Sequence, residues 1–213
     1  MQAQSFAPYK LLAQDLIPHA ADVGDGSHDL AHIHRVFRNA MRIHAGEGGD
    51  GTVLAASVLL HDCVAVEKNS PLRAEASRLA AEKASGILAG LGWRQTDIDA
   101  AAHAITTHSF SANIEPQTLE AKILQDADRL DAIGMVGAAR CFYIAGRMGS
   151  ALYDPADPLA KDRPLDDRAF AIDHFETKLF RLADGFRTKT GRKLAKARHE
   201  RLKQVLDLFL DEI

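Results

Sequence analysis

His61 and Asp62 follow the apolar run Val58-Leu59-Leu60 near the end of a predicted helix. An imidazole and a carboxylate emerging from so greasy a segment need partners, because polar groups buried unpaired are costly. Neutral His and ionised Asp are both good ligands for a divalent metal, and one ion would satisfy both. An isolated His-Asp pair at a helix end is more often structural, so its neighbours in sequence decide its weight. Upstream, Ser27-His28-Asp29-Leu30-Ala31-His32-Ile33-His34-Arg35-Val36 places histidines near the start of a helix. His28, His32 and Val36 share one i, i+4 stripe, so His32 projects inward, whereas His34 is turned about 200° away. Downstream, Gln125-Asp126-Ala127-Asp128-Arg129-Leu130-Asp131 again reads as helical. Asp126 and Asp128 are also about 200° apart and cannot both serve one ion through the same face. The apolar direction set by Leu119, Ile123, Ala127 and Leu130 lies closer to Asp126, so spacing leaves the choice open. Cys63 reads as a small buried hydrophobe, since a site of hard ligands does not need a thiolate.

The elements that must position these residues are helical almost everywhere. Apolar residues recur at helical spacing, most clearly in Leu202, Val205, Leu206, Phe209, Leu210 and Ile213. Helices are expected over 7–20, 29–45, 51–62, 71–91, from about 96, and over 117–131, 132–148, 167–182 and 187–210. Ser70-Pro71 reads as an N-cap followed by an N1 proline, and Gly92 as a helix stop. Asp25-Gly26 and Asp50-Gly51 read as interhelical turns, because no alternating β-branched segments flank them. Tyr153 to Leu165, with Pro155, Pro158 and Pro164 among acidic residues, reads as a surface loop.

A chain of 213 residues that is 46% hydrophobic and 26% charged is an ordinary folded protein, not a disordered or disulfide-stapled one. A formal charge of −3 without a long basic run argues against nucleic acid as partner. No stretch approaches a membrane span of about 20 apolar residues. The start Met1-Gln2-Ala3-Gln4-Ser5-Phe6 lacks the basic and apolar regions of a signal peptide, and with only Cys63 and Cys141 as thiols the expected location is the cytoplasm.

Taken in order on an all-helical pattern, His32-x-x-Arg35-Val36, His61-Asp62 and Ala127-Asp128-Arg129-Leu130-Asp131-Ala132 resemble the HD-domain superfamily of metal-dependent phosphohydrolases. The resemblance implies an all-α, single-domain HD-type bundle over 1–213, with a motif core at 28–132 and a C-terminal helical extension at 133–213. It also implies one divalent cation held by His32, His61, Asp62 and Asp128, and so selects Asp128 over Asp126. Manganese is the metal it suggests first; Fe²⁺, Co²⁺, Ni²⁺, Zn²⁺ and Mg²⁺ are compatible. Lys68-Asn69-Ser70-Pro71, His108-Ser109-Phe110-Ser111-Ala112, Arg163-Pro164-Leu165-Asp166-Asp167 and Asp173-His174-Phe175-x-x-Lys178-Leu179 are similar to a bacterial branch of small nucleoside triphosphate hydrolases.

The function expected from this is hydrolysis of a small phosphorylated metabolite, foremost a (deoxy)nucleoside triphosphate, by attack of metal-activated water on phosphorus. Asp62 would orient the water, and His108, at a helix end, would protonate the leaving oxygen. Lys68, Arg73 and Arg129 would neutralise phosphate oxygens. His103 and His108, about 140° apart on a helix, do not share a ligand face, which favours a single metal. Nucleoside monophosphatase, cyclic-nucleotide phosphodiesterase and a non-catalytic nucleotide-binding regulator are the alternatives. The last two helices could pack on the core or form a homodimer interface.

Overall fold

Asp29 and Asp50 start the two helices that carry the first half of the histidine motif. The Asp29 carboxylate accepts from His32 N at 2.9 Å, capping α2 (Leu30–Glu47). Asp50 accepts from Thr52 N (2.8 Å) and Val53 N (3.1 Å), capping α3 (Gly51–Leu60). Every residue of α3 from Val53 to Leu60 is buried, as expected of a helix that is apolar all round.

The structure is a computed structural model that describes residues 2–20, 29–64, 66, 74–109 and 113–213. Its other helices are α1 (Lys10–Leu16), α4 (Ala76–Gly90), α5 (Gln95–His108), α6 (Leu119–Asp131), α7 (Gly134–Met148) and α8 (Lys189–Asp211). Among the described residues extended pairing is limited to one isolated parallel bridge, Ala151 with Phe170, so the fold is all-α. None of the described helices is long and apolar enough to cross a membrane.

The chain forms two compact units, Met1–Asp128 with Arg187–Thr190, and Arg129–Phe186 with Gly191–Ile213. In the first unit α3 packs against α2 and α5, and α4 against α5. Its core includes Val36, Ile43, Leu54, Leu59, Leu88 and Ile105. Gly92, at φ +76, closes α4 with Gly92 N donating to Ala89 O and Trp93 N to Leu88 O, the left-handed stop expected from the sequence. In the second unit Leu202 and Leu206 of α8 are buried and Phe209 stacks on Phe142 at 5.4 Å, while Ile213, expected on the same face, is exposed.

Several expected boundaries shift. The first helix is shorter than 7–20, running only Lys10–Leu16 between 3-10 turns at Gln2–Phe6 and Ile17–His19. α3 ends at Leu60 instead of Asp62. α5 starts at Gln95 behind an extended Arg94, and the Thr96 hydroxyl donates to Asp97 instead of capping. Ser70-Pro71 and Asp25-Gly26 lie outside the described residues.

The helix expected over 167–182 does not form as such. Across the isolated bridge Ala151 N donates to Ala169 O and Ala171 N to Ala151 O, both at 2.9 Å, and Asp166 N donates to the Asp173 carboxylate at 2.7 Å. Asp173, buried, also receives Arg163 Nη1 (2.6 Å) and Nη2 (3.0 Å). These bonds commit the backbone to a loop before a helix can start, the usual way local polar side chains compete with helical hydrogen bonds. Beyond the loop the chain makes a π-type turn, Phe175–Leu179, and then a 3-10 turn, Phe180–Gly185. The same Arg163, lying 4.4 Å over the Phe170 ring and 3.3 Å from Asp154, pins the loop expected at Tyr153 to Leu165.

The corner between α6 and α7 depends on glycine. Gly134 has φ +75, and a Cβ on Gly137 would collide with the backbone carbonyl of Ala132. A backbone atom cannot swing aside as a side-chain tip can. Gly137→Ala is therefore expected to destabilise the protein by about 1–3 kcal/mol, whereas Gly86→Ala, inside α4 with open surroundings, should stabilise it by about 0.5–1 kcal/mol. Denaturant midpoints of the two variants check this.

Candidate metal centre

Two histidines of the first unit sit at helix ends and use the same device. His61 follows the last residue of α3, and its Nδ1 lies 2.7 Å from Val58 O. His108 is the last residue of α5, and its Nδ1 lies 2.6 Å from Ile105 O. Carbonyls in the last turn of a helix lack an N–H partner within it, and a carbonyl can only accept. Nδ1 therefore carries the proton in both rings, which leaves each Nε2 bare in the neutral form and fixes the ring plane.

These nitrogens converge with those of α2 and α6. His32 Nε2 is 3.2 Å from His61 Nε2, 3.6 Å from Asp62 Oδ2 and 3.5 Å from Asp128 Oδ1. His61 Nε2 is 3.5 Å from Asp62 Oδ2, and His108 Nε2 is 3.8 Å from Asp62 Oδ1. Ligand atoms of His32, His61 and Asp128 lie within 4.8 Å of one another, as do those of His61, Asp62 and His108. Ligands about 2.1 Å from one ion stand about 3.0–3.4 Å apart along the edges of an octahedron or tetrahedron. The His32–His61 pair at 3.2 Å lies inside that range and the carboxylate contacts at 3.5–3.6 Å just outside it, so a shared cation would need to draw the cluster in slightly. The donor set of imidazole and carboxylate suits a divalent metal, and the residues present can hold one.

Burial is graded across the cluster. His32 and His61 are each only 1% exposed and His108 is 6% exposed, whereas the side chains of Asp62 and Asp128 are 33% and 28% exposed. Burial holds the His61 imidazole below its ordinary value; Asp62 pulls it up, while His108 and His32 push it further down. A neutral His61 is the form that can ligate.

Buried carboxamides tie the helices beside the ligand atoms. Asn39 of α2 donates Nδ2 to Ala127 O at 3.0 Å, immediately before Asp128. Gln125 of α6 donates Nε2 to Thr107 O at 2.7 Å, immediately before His108. Sequence reasoning missed both amides; a polar residue set among inward-facing apolar positions was their only signal.

The remaining candidates separate cleanly. Asp126 is fully buried and accepts from Arg187 N (2.8 Å), Thr188 N (2.8 Å) and Thr188 Oγ1 (2.7 Å). Its inward direction, which spacing detected, thus serves the segment leading into α8. Asp131, in the second unit, pairs with Arg140 Nη1 at 2.7 Å. Arg129 Nη1 donates to Gly185 O. His103 Nε2 accepts from Gln117 N at 3.0 Å, so it does not pair with His108. Cys63 Sγ contacts Ala80 O at 3.4 Å, and burial pushes its thiol up to about 11. His28, Lys68 and Arg73 lie outside the described residues.

The HD domain family model matches residues 29–133, which contain the whole cluster. YpgQ of Bacillus subtilis, an uncharacterized protein, is 36% identical over 176 residues, covering 81% of this chain and 78% of its own. The chain belongs to the HD-domain superfamily. The crystal structure of YpgQ in complex with ADP matches at a TM-score of 0.71 and 33% identity, covering 100% of this chain and 95% of that one. An HD-superfamily hydrolase from Bacillus thuringiensis matches at a TM-score of 0.70 and 27% identity, covering 100% and 98%.

The electrostatics of these side chains predict two measurable behaviours. Because the folded-state value of His61 lies below its ordinary 6.5, the unfolded chain binds the extra proton first. Its contribution to stability is complete above pH 6.5 and is lost as pH falls from there towards the folded value, with a slope of at most about 1.4 kcal/mol per pH unit. Urea unfolding of metal-stripped protein at pH 7.5 and 5.5 should show this loss, and His61→Gln should reduce it. Cys63 and Cys141, buried and raised to about 11 and about 12, should resist a disulfide-exchange reagent at pH 8 until the protein is unfolded. Rapid labelling of native protein would contradict this.

Proposed function

We propose that the protein is a divalent-metal-dependent phosphohydrolase acting on a small phosphorylated metabolite, foremost a (deoxy)nucleoside triphosphate. The observation that carries this reading is the convergence of His32 Nε2 and His61 Nε2 with the carboxylates of Asp62 and Asp128. Membership of the HD-domain superfamily supports it. The ADP bound by YpgQ supports a nucleotide as ligand.

In this reading His32, His61, Asp62 and Asp128 hold the metal, with manganese the first expectation. When bound, a divalent cation polarises a phosphoryl oxygen and lowers the pKa of water into the neutral range. Asp62, half-exposed and reaching both His61 and His108, orients the attacking water by accepting its hydrogen bond. His108, protonated at Nε2, donates that proton to the leaving phosphate oxygen, while its Nδ1–H stays on Ile105 O. Lys68, Arg73 and Arg129 are assigned to neutralising phosphate oxygens, on charge and on their closeness in sequence to the ligand residues.

ADP on a relative also suits a binding-only regulator. Metal analysis followed by a nucleotide panel read by phosphorus NMR separates the readings. Pyrophosphate release marks a triphosphate pyrophosphohydrolase, single phosphate release a phosphatase and ring opening a phosphodiesterase. Saturable binding without turnover across several metals would replace the hydrolase reading by the regulator. His61→Ala is expected to lose stoichiometric metal and at least about 100-fold in turnover, while Lys68→Ala chiefly raises KM. Metal-dependent turnover retained by His61→Ala would contradict the ligand assignment.

A further inference from the structure

The end of α5 is where His108 gets its aim, and something other than α5 holds that end. The helix stops at His108, because Ser109 is extended (φ −69, ψ 131), so the carbonyls of its last turn have no partner within the helix. His108 takes Ile105 O for its own Nδ1. Thr107 O, on the peptide that joins Thr107 to His108, is taken by Gln125 Nε2 at 2.7 Å. Thr107 is fully buried and Gln125 is only 2% exposed, so no water substitutes easily for this bond.

The carboxamide cannot flip without loss. Its Oε1 accepts from Arg187 Nε at 3.2 Å, so the reversed amide would set its NH2 against a guanidinium and its oxygen against a carbonyl. Arg187 is itself fixed, by its backbone N on Asp126 Oδ1 (2.8 Å) and its Nη1 on Glu115 Oε1 (3.1 Å). Gln125 stands one helical turn before Asp128 on α6. One helix thus supplies a proposed metal ligand and, one turn away, the grip on the peptide of the proposed acid.

We infer that Gln125 is a positioning residue for His108: its carboxamide, oriented by Arg187, locks the last peptide of α5 so that His108 Nε2 is held at the leaving oxygen. This rests on the role given to His108 under the proposed function. A displacement of about 1 Å at a catalytic group can cost up to about 100-fold, so Gln125→Leu, which keeps the bulk and loses both hydrogen bonds, should lower kcat by about 10- to 100-fold with KM little changed. Gln125→Glu retains an acceptor for Arg187 but opposes the Thr107 carbonyl with a carboxylate, and should be impaired as well. Arg187→Lys, which keeps the backbone bond to Asp126, is a milder variant with a smaller loss in the same direction.

The test is a double-mutant cycle with His108→Ala on nucleoside triphosphate at saturating manganese, with bound metal and thermal midpoint measured for each variant. The expected result is that Gln125→Leu and His108→Ala each lower kcat, and that the double variant is no slower than His108→Ala alone. Equal factors with and without His108 would show a general structural role and overturn the inference, as would wild-type kcat in Gln125→Glu or a loss explained by lost metal. If His108→Ala alone turns over at the wild-type rate, the acid assignment of the proposed function fails and the inference falls with it, an outcome read from that single variant. If Gln125→Leu does not fold, the cycle is run with Arg187→Lys, judged by the same criterion.

Discussion

Two buried imidazole nitrogens held 3.2 Å apart, with carboxylates at 3.5–3.6 Å, are the constraint on which the rest of the first unit depends. With its proton on Nδ1, His61 presents a lone pair on Nε2, and the Asp62 and Asp128 oxygens around it are acceptors too. Acceptors crowded in a dry pocket repel unless protons or a cation are shared among them. Burial disfavours the first solution at His61, whose imidazole is held below its ordinary value. A proton on His32 Nε2 can serve His61 Nε2 without charging either ring, and a divalent cation is the other way to satisfy the cluster, whose spacing suits it.

Holding that arrangement takes more than the ligand residues themselves. The helix ends do most of it. Asp29 caps α2 on the amide of His32 itself, and the Nδ1 bonds of His61 and His108 turn unpaired helix-end carbonyls into ring anchors. Asn39 and Gln125 then fix the spacing between helices, each on a carbonyl one residue before a member of the cluster. Asp126, facing away from the cluster's chemistry, ties α6 to Arg187 and Thr188. Each contact is ordinary in strength. Together they restrict the relative motion of α2, α5 and α6 that would otherwise pull the ligand atoms apart.

The sequence made the helices and the order of the His and Asp residues legible, because helical periodicity and residue chemistry are local. It could not choose between Asp126 and Asp128, since the partner that claims Asp126, Thr188, lies 62 residues away. The resemblance to the HD-domain superfamily pointed to Asp128, whose Oδ1 lies 3.5 Å from His32 Nε2. Asn39 and Gln125 were invisible for the same reason, with acceptors 88 and 18 residues away. The failed helix over 167–182 has a different cause. Its apolar pattern is present, but Asp173 and Arg163 bond into the loop and outcompete the helix, a choice that periodicity does not register.

Charge at the site sets what else the proposed reaction demands. Asp62 and Asp128 contribute two negative charges, and a divalent cation brings their sum to zero. A triphosphate arriving at such a site gains no net attraction from it and needs positive side chains of its own, where water is scarce and unpaired charge is costly. Neutral His61 adds none, and His108 adds one only when protonated. The burden falls on residues outside the ligand set, which is the physical reason to look to Lys68, Arg73 and Arg129. The two carboxylates are also the most exposed members of the cluster, where water lowers the cost of holding their charge; fully buried Asp126 instead relies on three N–H and O–H donors.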